Sequence, residues 1–342
     1  QGDLMKKKKV IKKIFNIIFT LAIFGILYSF FFTAYENIKI NKMINNFKNR
    51  SDIFYETTNL EPIESVVTIN NQTIIRRFRI VPRETSQELA TSNVFYNDNY
   101  NNIGIEGDIF VTQQSPFPNI FLFHQFMSFY YGGHAAIKAG PSSYYEATGY
   151  PEDAKELFQT IFHNGKDPHS LSPIAAINNT EYWYNPVKNN EYGYNEFYRT
   201  KVIGLRVNNP FLNEENSEEK YNNVINNALT NAQEKIDNDS LYNFLFFLNM
   251  RYKYYCTDFV SRVYEEALTN VINNSTDYVS KGYAKRLNDD GFITSVNDLI
   301  LSKDTFIHFY IEVTYETRLI NGVDKKMPVQ NIYYLENIDK GE

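Results

Sequence analysis

The apolar pattern of the chain is uneven. One uncharged run, "IFNIIFTLAIFGILYSFFFTA" from Ile14 to Ala34, stands near its start. A bilayer crossing takes ~20 such residues, so the run predicts a transmembrane helix. Lys6 to Lys9, Lys12 and Lys13 precede it. Basic residues on that flank predict a cytoplasmic tail over 1–13 and place everything after the helix outside. No Ala-x-Ala-like cleavage site is present, since bulky Phe32 stands two residues before Ala34. A retained signal anchor over 14–34 is therefore expected ahead of the alternative, secretion after signal cleavage.

Beyond the run the period changes from segment to segment. Residues 35–100 begin polar with scattered apolar positions and read as an extracytoplasmic stalk or accessory segment. Within them "SVVTINNQTIIRRFRIV", Ser65 to Val81, predicts a hairpin turning at Asn70-Asn71, because asparagine accepts the positive φ of tight turns. Short strands are expected in "GIEGDIFVTQ" (104–113), "HAAIKAG" (134–140), "SSYYEATG" (142–149) and "TKVIGLRV" (200–207), with Gly140-Pro141 as a turn. "FLFHQFMSFYYGG" predicts a helix or buried segment, and the polar, Tyr/Asn-rich 150–197 is an insertion in which the pattern makes little structure predictable.

Helical period returns in "SEEKYNNVINNALTNAQEKI", where Tyr221, Val224, Ile225, Ala228, Leu229 and Ala232 share a face and Ser217 is placed to cap. A second helix opens near Cys256, with Phe259, Val260, Val263, Tyr264, Ala267 and Leu268 inward. "TFIHFYIEVTYETRL" alternates, placing His308 on its polar side. Asn321-Gly322 then signals a tight hairpin, so 317–342 reads as a C-terminal hairpin extension. Strands and helices mix without βαβ alternation, which predicts an α+β domain.

With 342 residues, 43% hydrophobic and 16% aromatic, the chain can bury a large core. A net charge of -6 argues against a dominant nucleic-acid surface, and no nucleic-acid partner is expected.

The chain has one cysteine, Cys256, which excludes an intramolecular disulfide. Two roles remain, apolar packing and nucleophile. A nucleophilic thiol needs a stabilised thiolate and a base. The unpaired N–H groups and dipole of a helix N-terminus serve the first need. For the second, His134 is the best placed of five histidines: it follows Gly132-Gly133 and begins a short apolar strand. A hairpin about Gly140-Pro141 sets His134 opposite a position near 147, with Glu146 its nearest or diagonal neighbour. That carboxylate would orient the imidazole. His163 and His169 lie in the insertion without metal-site partners, so no metal or cofactor is expected. His308 reads as surface or satisfied, and His124 as aromatic packing.

The order "EGDIF…GGHAAI…YYEATG…VIGLRV…YYCTDFVSRVYEEA…ITSVNDL" resembles the circularly permuted papain-like hydrolases, YiiX-type relatives of the NlpC-type cell-wall peptidases. In that group the strands come first and the cysteine helix last. Gly107-Asp108-Ile109 matches its opening turn into a strand, His134 its base and Glu146 its acidic residue. Leu205-Arg206-Val207 matches a later strand. Tyr255-Cys256 with Thr257-Asp258-Phe259-Val260 matches its Tyr-Cys-Ser-Glu-Leu-Val helix start, and Ile293 to Leu299 a following segment that carries proline where Ser295 or Val296 stands here.

The resemblance implies a permuted papain-like (NlpC-like) domain over 101–316, with an antiparallel sheet packed on the cysteine helix. It implies a cysteine amidase or peptidase using Cys256, His134 and Glu146. The Cys256 N–H would form half of an oxyanion hole, which Tyr254 or Tyr255 either lines or leaves by serving as packing, and Gly107 and Asp108 would shape a structural turn. The expected substrate is an amide or peptide bond in peptidoglycan. A lipid-directed amidase or acyltransferase, or a catalytically silent binding protein, is the alternative.

Overall fold

The computed structural model describes residues 2–69, 72–114, 123–130, 132–148, 153–163, 175–178, 181–185, 199–246, 250–273, 294–320 and 322–337. Helix α1 (Gly2–Thr58) is followed by β1 (Ile63–Ile69), β2 (Gln72–Pro82), α2 (Ser86–Leu89), β3 (Ile109–Thr112), α3 (Phe123–Tyr130), β4 (His134–Gly140) and β5 (Ser143–Glu146). Then come α4 (Ala154–Phe162), β6 (Ala175–Asn178), α5 (Glu181–Tyr184), β7 (Lys201–Val207), α6 (Ser217–Asp237), β8 (Leu241–Tyr242) and β9 (Lys253–Tyr254). The chain closes with α7 (Cys256–Asn273), α8 (Val296–Leu301), β10 (Thr305–Ile320) and β11 (Val323–Glu336). The protein is α+β. Its large sheet runs β1-β2-β11-β10-β7-β3-β4-β5-β6.

That sheet is mixed, which corrects the antiparallel expectation. β2 and β11 pair in parallel, Val329 with Ile75 through Glu336 with Pro82. Parallel neighbours need a long connection, and here almost the whole domain lies between them. Residues 317–337 form the expected hairpin, but only its tip projects, with Leu319 and Val323 exposed near the turn, whereas Val329 to Glu336 of β11 sit inside the sheet between β2 and β10.

Nor do residues 35–100 form a stalk. α1 continues unbroken out of the apolar run, and Thr33, Glu36, Ile40, Ile44, Phe47, Ser51 and Phe54 are buried along it. Their spacing of three and four is one helical face, packed on β2 and α8. The scattered apolar positions of the sequence are thus a core stripe. The apolar run itself stays exposed, and α1 is long and apolar enough to cross a membrane.

The hairpins form as the turn signals predict. Ile69 pairs with Gln72 and Ile320 with Val323, leaving two-residue turns. Asn70, Asn71 and Asn321 themselves lie outside the described residues. Within the insertion, the described parts hold elements that the sequence pattern does not predict. α4 is capped by Asp153, β6 extends the sheet edge beside β5, and Trp183 and Tyr184 of α5 are buried in the core.

α6 and α7 pack against each other, with α7 on β4 and β5. All six predicted inward residues of α7 are fully buried. Ser217 begins α6 rather than capping it. Asn216, with φ 56, precedes it, and the Ser217 hydroxyl accepts from Asn209 Nδ2 at 2.9 Å. A bulge between Ile307 and Phe309 interrupts the pairing of β10 with β7. It seats the Phe309 ring over Gly204, where a Cβ would lie 2.1 Å from that ring. His308 is the bulged residue and is fully buried, which corrects its placement on a polar surface.

Candidate active site

Cys256 is the first residue of α7. The Tyr255 carbonyl accepts the Phe259 N–H at 2.8 Å, the first bond of the helix. The N–H groups of Cys256, Thr257 and Asp258 therefore have no acceptor within the helix and leave positive partial charge beside the thiol. Burial pushes the Asp258 carboxyl up to about 7, against the opposing pull of Arg262.

This first turn is clamped. The Tyr255 hydroxyl accepts the Thr294 N–H at 2.8 Å, and the Thr257 hydroxyl donates to the Thr294 carbonyl. Ser295 then caps α8 through a reciprocal pair with Asp298. In front of the cysteine, the buried Lys253 amine donates to the carbonyls of Thr160 at 2.7 Å and Ile161 at 3.0 Å. That contact ties the end of α4 to the strand leading into Cys256.

His134 begins β4 opposite Thr112. The two residues before it have to be glycine. Gly132 has φ +74, and a Cβ on Gly133 would lie 1.9 Å from the Gln114 carbonyl oxygen. The β4–β5 register runs Ile137 with Tyr145 and Lys138 with Tyr144, then shifts before Gly140 with Ser143. Continued, it sets His134 opposite Thr148 rather than 147, with Glu146 as its diagonal neighbour on the same face.

The His134 Nε2 to Glu146 Oε2 distance is 2.7 Å, and both side chains are buried. Burial opposes a charge on the imidazole. The Glu146 carboxylate, with a hydrogen bond and electrostatic attraction from Cys256, outweighs it and pushes His134 up to about 10. Cys256, His134 and Glu146 are thus one cluster. The thiol is 9% and the imidazole residue 6% exposed, so water has little access to either.

Trp183 completes the group, and the sequence reading missed it. Its ring stacks on His134, with centroids 5.7 Å apart and planes 5° from parallel. The Arg199 guanidinium lies 3.8 Å from the Trp183 ring centre. The available signal was that this is the one tryptophan of the chain. Lys138, two positions beyond Ala136 on the same strand face, was also overlooked. Its buried amine donates to Asn102 Oδ1 at 2.9 Å, Tyr144 Oη at 3.1 Å and the Pro141 carbonyl at 3.2 Å, and burial lowers it to about 8.

The remaining candidates lie elsewhere. Asp108 accepts the Ile105 N–H at 2.8 Å, closing its own turn, and takes a bidentate pair from Arg206 at 2.7 and 2.8 Å. Arg206 and His308 hold its carboxyl well below the usual range although burial opposes them. His308 is lowered to about 4 by burial and by Arg206, so it is neutral beside this pair. Gly107 has φ +85, and its carbonyl accepts from the Tyr264 hydroxyl. These residues build structure, not a reacting centre.

Tyr254 packs under Arg262 at 4.4 Å and Lys235 at 5.4 Å, and the Tyr255 hydroxyl is committed to Thr294. Both rings are engaged in packing contacts, the reading that competes with lining an oxyanion hole. His163 ends α4, His124 falls in α3, and His169 lies outside the described residues. Among the described residues no group of three or more His, Cys, Asp or Glu is disposed to hold a metal ion. Comparison of the chain with protein-family profiles, with curated proteins and with solved structures finds no match in any of the three.

Proposed function

We propose that the protein is a thiol hydrolase or acyltransferase of amide or ester bonds, tethered to a membrane by α1. The observation that carries this reading is the convergence of Cys256 at a helix N-terminus with His134, itself bonded to Glu146. In this reading the Cys256 sulfur attacks the carbonyl carbon, and the oxyanion that forms is met by the free N–H groups of the first turn of α7. Protonated His134 gives its proton to the leaving amine or alcohol, and a thioester to Cys256 remains. His134 then takes a proton from water or another acceptor, which attacks the thioester, releases the acyl product and restores the thiol. Glu146 stabilises the imidazolium, and the Trp183 stack holds the ring in plane.

The same elements support the permuted papain-like fold that the sequence resembles. β4 and β5 precede the cysteine helix in the chain and pack on it. Retention of α1 as an anchor is supported by Thr33, at the end of the apolar run, being buried in the fold. The basic flank supports a cytoplasmic tail and an outside domain.

Two substrate classes meet this chemistry, a peptide bond of peptidoglycan and an acyl bond of a membrane lipid. The direct test incubates the full chain in detergent with purified cell-wall sacculi and, separately, with acyl lipids. The proposal expects soluble wall fragments or cleaved lipid from the native chain and neither from Cys256→Ser. Equal product from both chains contradicts it.

A further inference from the structure

α3 is apolar and aromatic, "FHQFMSFY". It is held against α1 where the apolar run ends. The Phe129 ring stacks on Phe30, with centroids 5.2 Å apart. The Phe129 carbonyl accepts from Asn37 Nδ2 at 3.4 Å. Phe30 and Asn37 are seven residues apart, two turns on one face. Phe30 lies inside the run, about 6 Å short of its end at 1.5 Å per residue, and Asn37 about 4.5 Å beyond it. The end of α3 therefore spans the level at which α1 leaves the hydrocarbon. Tyr35 and Lys39 mark the same level: the Lys39 amine lies 4.6 Å from the Tyr35 ring centre, an aromatic and cation pairing typical of a membrane surface.

The reacting cluster hangs from this level. Gln113 Nε2 donates to Asn37 Oδ1 and to Asn297 Oδ1, each at 3.2 Å. Gln113 adjoins Thr112, which pairs with His134, and paired strand Cα atoms are about 5 Å apart. Asn297 belongs to α8, and Thr294, two residues before that helix, is bonded to both Tyr255 and Thr257 around Cys256. Base and nucleophile are each a few residues from Asn37.

We infer that α3 is a second membrane contact, lying in the interface beside α1, and that the two fix the Cys256–His134 cluster over the headgroup layer. The partner of this surface is a lipid bilayer. The substrate is accordingly a lipid-borne amide or ester carrying its carbonyl at headgroup depth. The substrate assignment rests on the thiol-hydrolase reading, whereas the membrane contact of α3 does not.

The test uses the native chain with its single cysteine, reconstituted in vesicles of phosphatidylcholine and phosphatidylglycerol. The vesicles also contain a phosphatidylethanolamine whose amine carries a chloroacetyl group. Mass spectrometry should find the lipid adduct on Cys256 of the native chain and none on Cys256→Ser. Alkylation by soluble iodoacetamide without any lipid adduct overturns the membrane-facing site. Failure of both reagents defeats the thiol reading. The contact of α3 is then judged from two Cys256→Ser chains, one with Gln125→Cys and one with Leu60→Cys, each labelled with the fluorophore NBD. Gln125 is exposed on α3, and exposed Leu60 lies beyond the far end of α1. Quenching by headgroup-spin-labelled lipid at Gln125→Cys but not at Leu60→Cys is the expected result. Equal quenching, or none, at the two positions overturns the contact.

Discussion

At His134, burial and a carboxylate pull in opposite directions, and the carboxylate wins. Its pKa stands at about 10 against an ordinary 6.5. A group raised in the folded state stabilises fully below its unfolded value and loses that contribution as pH rises through the folded one. The stability that this pair contributes is thus complete below about pH 6.5 and gone above about pH 10. Glu146→Gln should bring the His134 titration down by more than a unit in the histidine NMR spectrum and flatten the alkaline loss in urea midpoint. A titration unmoved by the substitution would deny the pairing its role.

Asp108 behaves in the opposite sense, its contribution being lost only in strong acid. Asp108→Asn strands buried Arg206 and should cost ~3–5 kcal/mol in urea unfolding. Both carboxylates were legible in the sequence as residues with a role, because each stands at a turn or strand end beside glycine or histidine. Trp183 was not. Its partner His134 is far away along the chain, and nothing local in "EYWYN" announces a stack.

Elements with a clean period were read well. The inward face of α7 and the two-residue hairpins follow from spacing and turn chemistry alone. What period alone could not show was where registers slip. The bulge at His308 depends on Gly204 of another strand accepting the Phe309 ring, and the slip in β4–β5 moves the partner of His134 by one residue. The Gly132-Gly133 entry into β4 is sensitive for the same reason, since only a bare backbone passes the Gln114 carbonyl. Gly133→Ala should lower the thermal midpoint, at a cost on the order of 1–3 kcal/mol or more. It should also slow Cys256 alkylation, because displacing β4 moves His134, the base of the proposed mechanism. Normal alkylation with normal stability would contradict that close approach.

In the whole molecule, α1 is both the apolar run and a wall of the core. The sequence showed the run plainly. The wall was hidden because its stripe is diluted by Lys, Asn and Glu, and because the partners β2 and α8 lie far apart in the chain. The parallel pairing of β2 with β11 escaped for the same reason, since no local pattern specifies a neighbour so distant in sequence. Ile40 is fully buried in that wall. Ile40→Ala should therefore cost ~2–5 kcal/mol in urea unfolding of the detergent-solubilised chain. A loss within ~0.5 kcal/mol, the range of surface substitutions, would return residues 35–58 to the status of a spacer.

The central claim is that Cys256 and His134 act as one chemical unit. Alkylation of Cys256 by iodoacetamide, followed by mass spectrometry at near-neutral pH, reads this directly. The native chain should be labelled at least about tenfold faster than His134→Ala, because the imidazole that draws the proton from the thiol is then gone. Equal rates in two chains of equal urea stability would contradict it and leave Cys256 a buried packing residue.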